Sequence, residues 1–166
     1  MSYITDPFDK RKHKRELFDC LDHVLNHYLK RILSQDIAKN LGTGYVCTDE
    51  NNEIIGYYTL QNTVVFSRDY TSETTKKVGY SEVPSFLIGR LGIHWEHQGK
   101  GLGAKILRDA LIRCFEYKSY SGGHYVVVDA SSEKAKAFYE RYGFVSTERD
   151  PMRLLIPMKS IQRFIT

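Results

Sequence analysis

The chain has 166 residues, 42% of them hydrophobic and 13% aromatic, enough for one substantial core, so a single domain over residues 1–166 is expected. No run of about 18 apolar residues occurs, and the opening MSYITDPFDKRKHKRE is polar and charged where a signal peptide would be apolar, so the expectation is a cytoplasmic protein with no membrane span. A net charge of +4 favours an anionic partner, and three widely spaced cysteines, Cys20, Cys47 and Cys114, argue against a disulfide framework or a zinc site and read as reduced thiols.

In chain order, Lys10, Arg11, Lys12, Lys14 and Arg15 form a basic cluster, read either as a solvated helix start or as a contact for a polyanion. Over 17–33, Leu17, Leu21, Val24, Leu25, Tyr28, Leu29 and Ile32 recur at spacings of three and four and predict one amphipathic helix. GYVCTDE and EIIGYYTLQN predict two strands joined at Asn51-Asn52, a dipeptide that tolerates the positive φ of a tight turn, and VVF at 64–66 extends the sheet. Residues 67–83 are polar and aperiodic, a long connection of the kind that carries function, with Lys76-Lys77 inside it. The strand FLIGRLGI follows Pro84. After QGKGLGA comes the helical run AKILRDALIRCFEY, then a break at Gly122-Gly123 and the buried strand HYVVVDA. SSEKAKAFYERYGF predicts a short helix capped by Ser131 or Ser132 and stopped at Gly143, with Ala135, Phe138, Tyr139 and Tyr142 on its apolar face. A last strand is expected over 152–158.

The glycine loop carries the strongest chemical signal. Glycines at every second position let the backbone turn tightly and approach a ligand, and the helix behind them begins with orphan N–H donors at the positive end of its dipole. That is a site for an anion, most often phosphate. Gly99, Gly101 and Ala104 also match the dinucleotide fingerprint G-x-G-x-x-A, with Asp129 as the later acid. In that fold the fingerprint follows the first strand. Here at least three strands precede it, and too little chain follows Asp129 to complete a doubly wound sheet. The P-loop pattern G-x-x-x-x-G-K-[ST] is absent.

Gln98-x-x-Gly101-x-Gly103 after a strand, followed by Ala135-x-x-x-Tyr139-x-x-x-Gly143-Phe144 on a later helix, resembles the acyl-CoA motifs of the GNAT N-acetyltransferases. FDCLDHVLNHYLKRILSQD, IIGYYTL, RLGIHWEHQGKGLGAKILRDAL, AKAFYERYGF and DPMRLLIPMKSI are similar to the TacT-like toxins of type II toxin–antitoxin pairs, which acetylate charged tRNA. The resemblance implies a single α/β GNAT domain with a central mixed, largely antiparallel sheet, splayed at the acyl-CoA site and flanked by helices. It implies acetyl-CoA as co-substrate and no metal. Its pyrophosphate would lie on the backbone N–H groups of Gly99, Lys100, Gly101, Leu102, Gly103 and Ala104, and its pantetheine arm along Leu91, Gly92 and Ile93. An amide near Ile93 would hold the thioester carbonyl. Gln98, Ser132 and Phe138 would complete the cofactor site. Lys100, Lys105 and Arg108 either add charge for the phosphates or form a solvated helix face.

Many relatives carry Asn seven residues before the tyrosine, where this chain has Ser132. Tyr139 corresponds to the family's proton donor to the departing thiolate, and a phenol with pKa near 10 stays protonated at neutral pH. The residues alone also allow a core tyrosine there. No strong general base stands out, since His94, Glu96 and His97 precede the loop as surface residues. An α-amine, with pKa of about 7.7 to 8.0, needs less help than a lysine at about 10.4. This fits aminoacyl-tRNA as acceptor, with phosphates for the basic residues at 10–15, Lys30-Arg31 and Lys76-Lys77. A small DNA-binding antitoxin and a homodimer are the further partners implied. The alternatives are acetylation of a protein N-terminus, a lysine or a small amine, and a non-catalytic acyl-CoA-binding module.

Overall fold

The computed structural model describes residues 2–69 and 79–165, so Lys76-Lys77 and most of the expected long connection lie outside the described residues. The elements are β1 (Asp6–Pro7), α1 (His23–His27), a π-helical turn (Tyr28–Ile32), α2 (Leu33–Ala38), β2 (Thr43–Thr48), β3 (Ile54–Phe66), β4 (Glu82–Ile93), α3 (Leu102–Ser121), β5 (Tyr125–Asp129), α4 (Glu133–Arg141), β6 (Val145–Ser146), β7 (Arg153–Pro157) and α5 (Met158–Ile161). The strands form one sheet in the order β1-β2-β3-β4-β5-β7-β6. The pairs β1–β2, β2–β3, β5–β7 and β6–β7 are antiparallel, while β4–β5 is parallel. This is the mixed, largely antiparallel α/β fold expected.

The chain divides into two compact units, Met1–Gln61 with Gly89–Ala110, and Asn62–Ile88 with Leu111–Thr166. The first has a core of Phe18, Cys20, Tyr28, Leu29, Leu33, Val46, Ile54 and Tyr57. Its helical segment differs from the expectation. The predicted helix over 17–33 starts only at His23, because the Asp22 carboxylate accepts from Val24 N at 3.0 Å and Leu25 N at 3.2 Å and caps the helix there. Leu21 takes a left-handed φ of 67°, which no helix can continue through. Leu17 and Leu21 are consequently 71% and 72% exposed; the stripe that packs begins at Leu25. The helix then widens into the π turn and runs on to Ala38.

The basic cluster is no helix start either. Lys12 N and His13 N both donate to Asp9 O in a turn, and Arg15 reaches inward, donating to Leu29 O and Ser34 Oγ at 3.0 Å each. Lys10, Arg11, Lys12 and Lys14 remain exposed. Asn52 supplies the positive φ, 64°, of the β2–β3 turn.

In the second unit Val65, Val83, Leu87, Tyr125, Val127 and Leu155 make the core. β4 begins at Glu82, so Pro84 lies inside the strand and not before it. Proline has no N–H for a ladder, but the Pro84 carbonyl accepts from His124 N at 2.8 Å. The short β6 carries no pattern of its own in the sequence. Its two residues pair with Leu155 and Leu154, too few for a visible alternation.

Candidate active site

In the first unit the glycine loop leaves β4 through a short 3₁₀ turn, Trp95–His97. Gly99 and Gly101 have φ of 74° and 85°, and a Cβ on either would meet nothing within 4 Å. The glycines are therefore present for backbone conformation, and the space above them is open. Gly103 sits inside α3 without a positive φ, so the regular spacing reflects two conformational requirements, not three. The first N–H groups of α3, from Leu102 on, have no intrahelical acceptor and face the loop's end of the helix dipole. An anionic phosphate fits this cradle.

The Gln98 side chain does something the spacing did not predict. Its amide donates to Ile93 O at 2.8 Å and to Cys20 O at 3.1 Å, bracing the loop against its own strand and against the segment before α1. His94 is also structural: its Nδ1 accepts from Asp19 N at 3.0 Å, and its side chain is 14% exposed, 3.6 Å from Glu96. Trp95 N donates to Asp19 O. The strand itself shows why residue 92 is glycine, since a Cβ there would stand 3.2 Å from Tyr57 Cε1, 3.4 Å from Cys20 Sγ and 3.5 Å from Phe18 Cζ. The ladder of β4 with β5 covers Ser85 to Ile88, whereas β4 continues to Ile93.

In the second unit α4 is capped by Ser132, whose Oγ accepts from Ala135 N at 3.1 Å. The hydroxyl at the position where many GNAT enzymes carry asparagine is thus engaged as a cap, with its proton and one lone pair left over. Gly143 ends the helix at a φ of 93°, and Phe144 N returns to Tyr139 O. Tyr139 is 6% exposed. Phe138 and Phe144 meet its ring edge-on at 5.2 and 5.6 Å. Its hydroxyl has no hydrogen-bond partner among the described residues. Burial, and secondarily the charge of Asp129, pushes its pKa above the ordinary tyrosine range. The phenol keeps its proton at neutral pH. Asp129, the acid of the dinucleotide alternative, is held by Arg153 in a bidentate pair at 2.8 and 3.1 Å, which removes it from that role.

Comparison with known proteins settles what these two assemblies belong to. The model of the acetyltransferase (GNAT) domain matches residues 40–146. The chain belongs to the GNAT acetyltransferase family. Among the acetyltransferase's relatives is a tRNA-acetylating toxin of Mycobacterium tuberculosis (strain ATCC 25618 / H37Rv), 30% identical over 142 residues that cover 85% of this chain and 84% of the relative. A solved structure of AtaT complexed with acetyl-methionyl-tRNAfMet is 26% identical, covers 99% of this chain and 100% of that one, and has a TM-score of 0.89. AtaTR bound with AcCoA is 28% identical over 98% and 97% of the two chains, with a TM-score of 0.83.

This GNAT enzyme is an acetyl-CoA-dependent N-acetyltransferase. Among its described residues there is no cluster of three or more His, Cys, Asp or Glu able to hold a metal, and no helix long and apolar enough to cross a membrane.

Proposed function

We propose that this acetyltransferase moves an acetyl group from acetyl-CoA to the α-amine of aminoacyl-tRNA, blocking translation as the toxin of a type II toxin–antitoxin pair. The observation that carries the reading is the likeness, over nearly the whole chain, to a toxin solved with its acetylated tRNA product. Acetyl-CoA supplies the acetyl group as an activated thioester. The chain's part is divided by unit. In the first, the N–H groups of Gly99, Lys100, Gly101, Leu102, Gly103 and Ala104 hold the pyrophosphate, and the backbone of Leu91, Gly92 and Ile93 takes the amide-bearing arm. Gln98 serves by fixing the loop, and an N–H near Ile93 steadies charge at the reacting carbonyl.

In the second unit Tyr139 gives its proton to the departing sulfur as the nitrogen–carbon bond forms and the carbon–sulfur bond breaks; the amine loses a proton to solvent, and solvent returns one to the Tyr139 phenolate. Ser132 caps the start of α4 and Phe138 lies nearly two turns further along it, beside Tyr139; both belong to the cofactor site in this reading. No residue is needed as a strong base, since an α-amine beside an ester is substantially neutral near pH 7. A role for His94 as base is disfavoured because its Nδ1 is already an acceptor.

The 166 residues act as one catalytic domain in the cytoplasm, as a homodimer that a small DNA-binding antitoxin restrains. Lys10, Arg11, Lys12 and Lys14 are the exposed part of the basic segment available to RNA. The test is release of free thiol from acetyl-CoA with charged tRNA, uncharged tRNA, or a peptide bearing a free N-terminus and lysines. Release with charged tRNA alone is expected. Release with the peptide but not with charged tRNA would move the enzyme to the protein or small-amine acetyltransferases, and no release with any acceptor would make it an acyl-CoA-binding module.

A further inference from the structure

Arg90 interrupts the apolar run of β4 directly before the residues assigned to the acyl carrier. Strand alternation puts it on the same face as Gly92, whose missing Cβ faces Phe18, Cys20 and Tyr57. Its guanidinium carbon lies 3.5 Å from the centroid of the Tyr28 ring, flat contact at van der Waals distance. That ring is itself immobilised: Tyr28 is 7% exposed, begins the π turn, and donates its hydroxyl to Asp36 Oδ2 at 2.8 Å. Burial and the Asp36 bond push the phenol up to about 12, so the anchor stays protonated.

The contrast with other arginines is sharp. Arg15 is spent on Leu29 O and Ser34 Oγ, Arg153 on Asp129 and Arg163 on Tyr142 O. Arg90, only partly exposed, has no carboxylate or carbonyl partner among the described residues. A half-buried cation without a counter-ion is costly. Contact with the ring recovers part of that cost and restricts where the guanidinium can go. A fixed, unspent guanidinium is built for bidentate contact with a phosphate.

Two sources of phosphate are available to it, acetyl-CoA and the acceptor. The glycine loop already provides for the cofactor's pyrophosphate. From Arg90 to Ile93 β4 advances about 10 Å before the loop begins. Lys30 and Arg31 lie on the π turn beside Tyr28, and Arg31 is exposed, which adds positive charge on the helical side.

We propose that Arg90, held flat on Tyr28, binds a backbone phosphate of the single-stranded 3′ end of the charged tRNA and so sets the acceptor's register. This rests on the reading of charged tRNA as the acceptor.

The experiment compares the wild type with Arg90→Gln, Arg90→Lys and Tyr28→Leu. Initial rates are measured at saturating acetyl-CoA, over a range of salt, with charged tRNA and with the same amino acid esterified to adenosine, which has no phosphate. Arg90→Gln should raise KM for charged tRNA about tenfold or more and flatten its log–log salt dependence by about 0.7. The rate on aminoacyl-adenosine and the KM for acetyl-CoA should not move, and their constancy also certifies the fold. Arg90→Lys should recover part of the affinity, and Tyr28→Leu should reproduce the loss selectively for tRNA. An unchanged salt slope overturns the proposal. So does an equal loss on aminoacyl-adenosine, which would make Arg90 a brace for the π turn, or a raised KM for acetyl-CoA, which would assign the phosphate to the cofactor. Wild-type enzyme that fails to acetylate charged tRNA would instead sink the parent reading; wild-type activity indifferent to Arg90 sinks this inference alone.

Discussion

The glycine loop and the Tyr139 helix solve opposite problems. Gln98, Gly99, Lys100 and Gly101 are all exposed, and the space above the two left-handed glycines is empty. In the proposed reading an anion is bound there by backbone donors that face outward, with no side chains in the way. Tyr139 is enclosed by Phe138 and Phe144, a dry setting that keeps the phenol protonated at neutral pH. The contrast teaches where damage will appear: loop changes should alter affinity without stability, and Tyr139 changes should alter rate without affinity.

The loop gives the largest expected effect. Gly101→Glu forces a side chain into a φ of 85° and sets a negative charge against the pyrophosphate. Acetyl-CoA binding should vanish in titration calorimetry while circular dichroism is unchanged. Gly103→Glu, at a position with ordinary helical φ, acts by charge and bulk alone and should also abolish binding; retained affinity in both would remove the loop from the cofactor site.

Tyr139→Phe comes next. The ring packing is kept and only the donor is lost, so single-turnover transfer to charged tRNA should slow by about 10² to 10⁴ with acetyl-CoA affinity intact. Growth arrest on induction should disappear with it. A near-normal rate would leave Tyr139 as core packing and erase the contrast.

Alkaline pH probes phenols in both regions. Tyr139 is pushed up by burial, and Tyr28 to about 12, so the native state keeps protons that the unfolded chain releases above the ordinary value of about 10. Stability from these groups should be intact below pH 10 and lost as pH rises from 10 towards 12, read as a falling urea midpoint. Tyr28→Phe should make that fall shallower. A midpoint that is flat to pH 12 would mean that neither ring resists ionisation.

Ser132→Ala is the smallest perturbation. Loss of the cap should cost about 1 kcal/mol in urea unfolding, with kcat within a factor of about three. A rate loss as large as that of Tyr139→Phe would show the hydroxyl at work on the substrate rather than on the helix.

What the sequence determined by itself is whatever short-range periodicity and backbone chemistry control. The strand-like runs became β2, β3 and β5, the serine cap and terminal glycine bounded α4 within a residue, and the glycine spacing located a turn that needs positive φ. Tyr139 and the loop were legible because both sit in motifs a few residues long. What tertiary structure decided depends on partners far apart in the chain. Asp19 N meets His94 across a separation of 75 residues and Gln98 meets Cys20 across 78, so no local window could show that His94 and Gln98 are braces, or that the helical stripe must start after Asp22. The stacking of Arg90 on Tyr28 belongs to the same class. A lone arginine in an apolar strand is visible in the sequence, but that no carboxylate among the described residues pairs with it follows only from which ring and which carboxylates the fold brings near it.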